Sequence, residues 1–581
     1  MPSIYTMMDI SRWALEASQR QLSTVSHNVA NVNTEGYSRQ ETVQTTRNPE
    51  YTANGWYGRG VKTSSVIQHV DKLLQERITD KLSTKEYSDK RLSQLKRLET
   101  LMNETGDTGL GEQITAFFKA WQDLSNNPES SAVRQVLKET TDNLTTRFQT
   151  IMRDITQVKR DYDTYMDGAV TEINGICQRI AQLNDQISLA EAGGQPANDL
   201  RDQRINQVND LSKLMNIQWF ETADGTITVL GGEGKTLVQA SYPGDNDTPP
   251  LSYGPVSGYS DNQVVWQNLG LVMTSDEVTG GSLGAWLEMR EVEVPLMENF
   301  LNDLAKQMVW QVNSQHSQGV GLSKFTDVTG SYLSPDETTD FNDSSNTLAF
   351  ADKIEDGSFD LWVYESGTRR KYTITVNASD DLETLKDRIN STVNPSLNAS
   401  ENPVATLVDD KQLRIHATGG IEFAFANDTS NVLAALGINT YFDGYTAGTI
   451  TLNSVVEGDE RYIAAGRLLT DGEHASGDNK NALDIADIKD QDTMTNQTET
   501  FNEAVVSWAS TLGTKVSATN DSYDFSEKSY NELQNLRDNV SAVNLDEEMV
   551  KMIKFQRSYQ MAAKVVTTAD TLLATLIELK R

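Results

Sequence analysis

Val229 to Thr236 read VLGGEGKT, the one stretch of this 581-residue chain that ends like a phosphate-binding loop. Such a loop cradles phosphate in glycine backbone N–H groups and brings a lysine to the outer oxygens. The pattern needs glycine at position 229, where this chain has Val, and a helix after the loop. Leu237-Val238-Gln239 instead reads as strand, so the stretch is expected to be a glycine-rich hairpin turn. His27, His69, His316, His416 and His474 are scattered without ligand spacing, so no metal site is expected. No Gly-x-Ser-x-Gly elbow occurs. Asp380-Asp381 and Asp409-Asp410 read as turn acids, and the lone Cys177 lies in a helical pattern and reads as inert. Catalysis and cofactors therefore have no candidate residues.

Spacing of another kind dominates the chain end. Asn544 is a good N-cap, Glu547 stands three residues on as in a capping box, and Asp546 and Glu548 add charge to the first turn. Lys580 and Arg581 oppose them at the other end, about 55 Å away if the segment is one helix. Leu545, Met549, Met552, Gln556, Tyr559, Ala563, Val566, Asp570, Leu573 and Ile577 alternate by four and three, a heptad seam with two polar interruptions. Beside it runs a second seam, Ala562, Val565, Ala569, Leu572, Leu576 and Leu579. A helix apolar on two faces must be covered on both. At the opposite end Ile4, Met8, Ser11, Leu15, Ser18, Leu22, Val25, Val29 and Val32 show the same alternation. The N-terminal helix is thus a same-chain cover, and a second chain is a candidate for the other face. A buried core helix at each end would also carry such patterns.

Composition narrows the partners. The chain has 50 Lys plus Arg against 83 Asp plus Glu, a net charge of −33, which argues against nucleic acid or an anionic membrane. The two ends are close to neutral, so the acidity lies in the middle. One cysteine excludes an internal disulfide framework. MPSIYTMMDISRW lacks the basic-then-apolar order of a secretory leader, and no stretch is apolar enough to span a membrane. By these signs alone the chain would be cytoplasmic.

Between the ends the pattern is nested, and the fold class is multidomain α+β. Residues 1–50 and 540–581 form a terminal coiled-coil core, and residues 51–216, 282–320 and 480–539 a long-helix bundle layer. One helix is expected from Ser131 to Ala192, stopped by Gly193-Gly194, and another from Ser282, bent at Pro295. Residues 217–281 read as β-rich. Residues 333–460 read as a separable, outward α+β insert with a net charge of −14.

After the first helix comes a motif of Asn28, Asn31, Asn33, Thr34, Gly36, Tyr37, Ser38, Arg39 and Gln40. It resembles the N-terminal signature of bacterial flagellar axial proteins, and Gly-Tyr-Ser-Arg-Gln resembles the FlgK family of hook-associated proteins in particular. Asn544, Asp546, Glu547 and Glu548, followed by Gln556 and Tyr559, are similar to that family's C-terminal signature, with Ala542 where the family usually has Gly. Asn198-Asp199-Leu200-Arg201-Asp202-Gln203-Arg204 also looks like the family. The resemblance implies a structural, non-enzymatic subunit joining hook to filament through its terminal helices. It implies copies of itself in a ring or short helical layer, neighbouring hook and junction or filament proteins, and an export chaperone as partners. It further implies an extracellular place at the hook–filament junction, reached by type III export without a cleavable leader. The alternative class is a surface adhesin acting through the middle domains.

Overall fold

A computed structural model describes residues 4–52, 55–102, 109–222, 224–239, 248–393 and 403–579. Lys580 and Arg581 lie outside them. Two compact units emerge. The first comprises Met1–Gln94, Asp161–Glu291 and Ser517–Arg581, and the second Leu95–Arg160 and Val292–Val516.

Helix α1 spans Ile4–Ala30 and is followed by strands β1 (Gln40–Thr46), β2 (Glu50–Thr52), β3 (Gly55–Tyr57) and β4 (Val61–Gln68). β1 and β4 pair antiparallel with Gln40 opposite Gln68, and β2–β3 is a hairpin. Next come α2 (Lys72–Leu101), α3 (Leu110–Asn126), α4 (Ser131–Glu191) and α5 (Asn198–Leu214). α4 has 61 residues, about 90 Å, and ends one residue before the expected limit, with Gly194 at φ +77° beyond it. Its buried track includes Leu137, Leu144, Phe148, Ile155, Ile173 and Ile180, each at most 1% exposed, which follows the heptad-like spacing of the sequence.

Strands β5 (Ile217–Glu221), β6 (Ile227–Gly231) and β7 (Lys235–Val238) form one antiparallel sheet. β8 (Leu251–Gly254), β9 (Gln263–Trp266) and β10 (Leu271–Val272) form another. The glycine-rich stretch is the β6–β7 turn, with Gly232, Glu233 and Gly234 all at positive φ. Its lysine, Lys235, pairs with Glu277 at 3.0 Å and lies over the Trp266 ring, so it serves the hairpin. Cys177 is buried in α4, and burial pushes its thiol up to about 12.

The helix expected from Ser282 is two helices. α6 (Gly281–Glu288) passes through a π-helical segment, Met289–Glu293, into α7 (Val294–His316). Pro295 stands in the first turn of α7, where its missing N–H costs least. Beyond lie β11 (Asp327–Thr329), β12 (Gly357–Glu365), β13 (Thr368–Val376), α8 (Leu382–Val393), β14 (Val404–Val408), β15 (Gln412–His416) and β16 (Glu422–Ala426). They make two three-stranded sheets, ordered β13-β12-β16 and β11-β15-β14. The short helices α9 (Val432–Leu436), α10 (Ser454–Gly458) and α11 (Lys480–Asp487) precede α12 (Phe501–Ser541) and α13 (Leu545–Glu578).

Two expected boundaries move. The 333–460 insert is not separable as drawn, because the segment around Tyr441 near its end packs into the helical core of the second unit. Tyr441, fully buried, sits 5.0 Å from the Trp121 ring of α3 and shares a 2.7 Å hydrogen bond with Thr141 of α4. Asn313 of α7 accepts from the N–H groups of Tyr441 and Phe442 and donates to the Phe442 carbonyl. His316, also fully buried, bonds the Asn439 carbonyl and accepts from the Ala464 N–H, while burial pushes its pKa down to about 4. These contacts join short polar-flanked segments that carry no periodicity, so the sequence did not mark them. The bundle assigned to 51–216, 282–320 and 480–539 is likewise divided, since α2, α4 and α12 each contribute residues to both units.

Candidate functional site

Within the first unit, α1 is covered on two sides. One is α13 and the other is the β1–β4 ribbon, where Arg47 stacks on Trp13 at 3.3 Å and Thr42 donates to Thr24. Every predicted seam residue of α1 is at least half-buried: Ile4, Met8, Leu15, Leu22, Val25 and Val29, with Ser11 and Ser18 fully so.

The seams of α13 need correction. The track facing inward is Glu548, Met552, Phe555, Tyr559, Ala562, Val566, Ala569 and Leu573, which threads between the two predicted ones. Met552, Val566 and Leu573 of the predicted residues are half-buried. Leu545, Met549, Val565, Leu572, Leu576, Ile577 and Leu579 are exposed, and Tyr559 sits at the edge, 40% exposed. The inward track was missed because a glutamate occupies one of its positions. Ala569, 0% exposed, and Ala562 are small enough to let the helices approach closely.

That glutamate is the centre of the site. Glu548, 1% exposed, accepts from Asn28 Nδ2 at 2.9 Å and from Lys551 at 2.6 Å. Asn28 is equally buried and uses its whole amide. Its Nδ2 also donates to the Gln40 carbonyl, and its Oδ1 accepts from the Tyr37 hydroxyl at 2.8 Å and the Gln40 N–H at 3.0 Å. A buried carboxylate is tolerable only when paired and hydrogen-bonded, and these four partners satisfy it and its asparagine together. Burial first, then the charges of Asp199, Asp202 and Glu548, raise the Tyr37 pKa, keeping the phenol a donor.

The two turns meet directly as well. The Arg39 N–H donates to the Ser541 carbonyl at 2.8 Å, and the Arg39 guanidinium approaches Glu547 at 4.0 Å. Asn544 caps α13 by accepting from the N–H groups of Asp546 and Glu547. Ala542 does not take positive φ, so alanine meets no left-handed strain in this turn. Asn31 holds the end of α1 through the His27 carbonyl and accepts from Thr34, while Asn33 and Gln556 are exposed.

The third partner is the start of α5. Asp199 takes Gln40 Nε2 at 2.7 Å and His27 at 3.2 Å, and Asp202 accepts the Ser38 N–H at 2.8 Å. The sequence contained these residues as a family-like stretch but gave no sign of where it docks. Gly36 lies at φ +76°, and a Cβ there would stand 1.9 Å from Asn206 Oδ1, whose amide donates to the Glu35 carbonyl. Gly36→Ala should therefore cost about 1–2 kcal/mol through left-handed strain and displaced Asn206. Asn206→Ala in the same chain should return only the contact share, which urea denaturation of the single and double variants will separate.

Asp202 makes this junction pH-sensitive. Burial pulls its carboxyl up from 3.8 to about 6, partly offset by the Ser38 hydrogen bonds. Folding thus favours the protonated form, so its stabilising contribution is complete below pH about 4 and is lost as pH rises through 6. At about 1.4 kcal/mol per unit, the full loss is on the order of 3 kcal/mol. Asp202→Asn is expected to flatten this fall, read as the change in urea midpoint between pH 5 and pH 7.

A helix pair tied by two turn motifs from opposite chain ends is the geometry of a structural subunit. Comparison with known proteins identifies its kind. Residues 95–331 match the family described as "Flagellar hook-associated protein FlgK helical domain". Residues 8–37 match "Flagella basal body rod protein", and residues 537–579 match "Flagellar basal body rod FlgEFG protein C-terminal". The chain is 26% identical to the flagellar hook-associated protein 1 of Salmonella typhimurium, over 97% of this chain and 98% of that one. It is 26% identical to that of Bacillus subtilis, over 81% of this chain and 96% of that one. The solved flagellar hook junction protein FlgK from Burkholderia pseudomallei shares the fold, with TM-score 0.53 and 16% identity over 80% of this chain and all of that one. The chain is similar to the FlgK family of flagellar hook-associated proteins, and these matches together support a structural role in the flagellum.

Proposed function

We propose that this chain joins hook to filament by packing its terminal helix pair against neighbouring axial subunits. The observation that carries this reading is the outer face of α13. With α1 seated on the inward track, Met561, Leu572, Leu576 and Leu579 remain 70%, 47%, 52% and 78% exposed. A row of large apolar side chains at helical spacing marks a surface to be covered by protein. Copies of the same chain and adjoining hook and filament subunits are its partners. The reading includes export through the flagellar type III route, with a chaperone shielding the apolar ends beforehand, and gives the chain no enzymatic role. No observation favours an adhesin. The test is electron microscopy of a deletion strain: hooks should persist without filaments, and the intact gene should restore filaments. Filaments of normal length on the deletion strain would refute the reading.

The division into a terminal core, helical layers and an outward acidic part is part of the same proposal, with the outward part narrowed to the β12–β16 region. That region keeps the β13-β12-β16 sheet, the β14–β15 pair and α8 but leaves Tyr441 and Phe442 in the helical core.

A further inference from the structure

Resting on that reading, we propose that the outer face of α13 docks on the exposed face of α12 in the next copy of this chain. The two faces are complementary in charge. From Lys551 to Ala569, α13 carries four basic and no acidic side chains, in a chain whose net charge is −33. Lys554, Arg557 and Lys564 are exposed, flank Met561 and Val565, and have no ion-pair partner among the described residues. On α12, the stretch from Ser517 to Ser541 has a net charge of −3. Asp521, Asp524 and Glu532 are exposed and also lack an ion-pair partner among the described residues. They surround Phe525, 70% exposed, and Leu536, 45% exposed.

Spacing matches as well as sign. Asp521, Phe525, Lys528, Glu532 and Leu536 follow steps of four and three along one side of α12. Val550, Lys554, Arg557, Met561 and Lys564 do the same on α13. Each row is about 20 Å long, so an aromatic anchor and a methionine can meet with charges alongside. In such contacts the buried apolar anchors supply most of the affinity, and the flanking charges select the partner and speed encounter. The faces differ, so the contact is heterologous. Repetition gives a ring or helical layer, where a self-complementary face would close a dimer.

The single native cysteine is buried, so cross-linking can read this contact cleanly. One chain carries Phe525→Cys and a second carries Met561→Cys, co-expressed in the deletion strain. Oxidation of isolated flagella should give a linked heterodimer, and the same chains secreted unassembled should not. In a second arm, K554E/R557E/K564E should reduce filament-bearing cells at least tenfold, and adding D521K/D524K/E532K to the same chain should restore them. Absence of the cross-link from filament-bearing flagella overturns the proposal, even if charge reversal proves to disturb folding. If Leu572→Asp still abolishes assembly in that case, the outer face of α13 keeps its role and only the partner assigned here falls. If Leu572→Asp assembles normally, the underlying reading falls too.

Discussion

Leu572→Asp should abolish filament attachment while leaving the free protein as stable as before. Leu572 is 47% exposed on the outer face of α13, and in the single chain a carboxylate there stays in water. An exposed substitution of this kind moves stability by about half a kcal/mol at most. In a packed interface the same carboxylate is buried without a cation, and the penalty is several kcal/mol per contact, enough to empty a subunit layer. Met552→Asp makes the control. Met552 lies on the inward track against α1, half-buried, so its replacement should loosen the helix pair of the free chain itself. The two variants separate by thermal melting of purified protein and by electron microscopy of the complemented deletion strain. Normal filaments with Leu572→Asp would show that this face stays in water after assembly.

What the sequence showed and what it hid have a common physical basis. Periodicity over many residues was legible: α4 was read to within a residue of its end. The buried seam of α1 was also legible, because serine and small residues at seam positions did not break the four–three rhythm. The inward track of α13 was not, because Glu548 occupies a core position and is compatible with burial only through Asn28 and Lys551. Asn28 is 520 residues from Glu548, and no local pattern announces a partner at that distance. The docking of Asp199 and Asp202 under the first turn was hidden for the same reason. So was the seating of Tyr441 against α3 and α4, where one ring fills a gap between helices that come from far along the chain. The motif residues themselves were found by resemblance, and the contacts now give them physical roles. Asn28, Tyr37 and Gln40 satisfy a buried charge, Gly36 supplies a left-handed turn, and Asn544 caps the last helix.

Asn28→Ala should release both terminal helices together. The substitution removes the Nδ2 donor from Glu548 and from the Gln40 carbonyl, and the Oδ1 acceptor from Tyr37 and the Gln40 N–H. Lys551 remains as the partner of Glu548, reaching its other oxygen at 2.6 Å, so one oxygen of a 1%-exposed carboxylate is left bare. Leaving a buried acceptor without its hydrogen-bond partner costs about 1–3 kcal/mol, at the upper end for a charged oxygen. That is a large share of the stability of any single domain. The effect should be local, since α1 touches α13 and the β1–β4 ribbon, while the second unit has its own core around Trp121 and Tyr441. Hydrogen exchange should accordingly rise at least tenfold for amides of 4–30 and 545–578 and stay unchanged across 292–516. Glu548→Ala in the Asn28→Ala background removes the stranded carboxylate and should recover part of the loss, giving a coupling energy above about 1 kcal/mol in a double-mutant cycle. Additive effects of the two substitutions would mean that the hydrogen bond across 520 residues contributes nothing to pairing the chain ends, and that the seam of Val25, Ala562 and Ala569 holds them unaided.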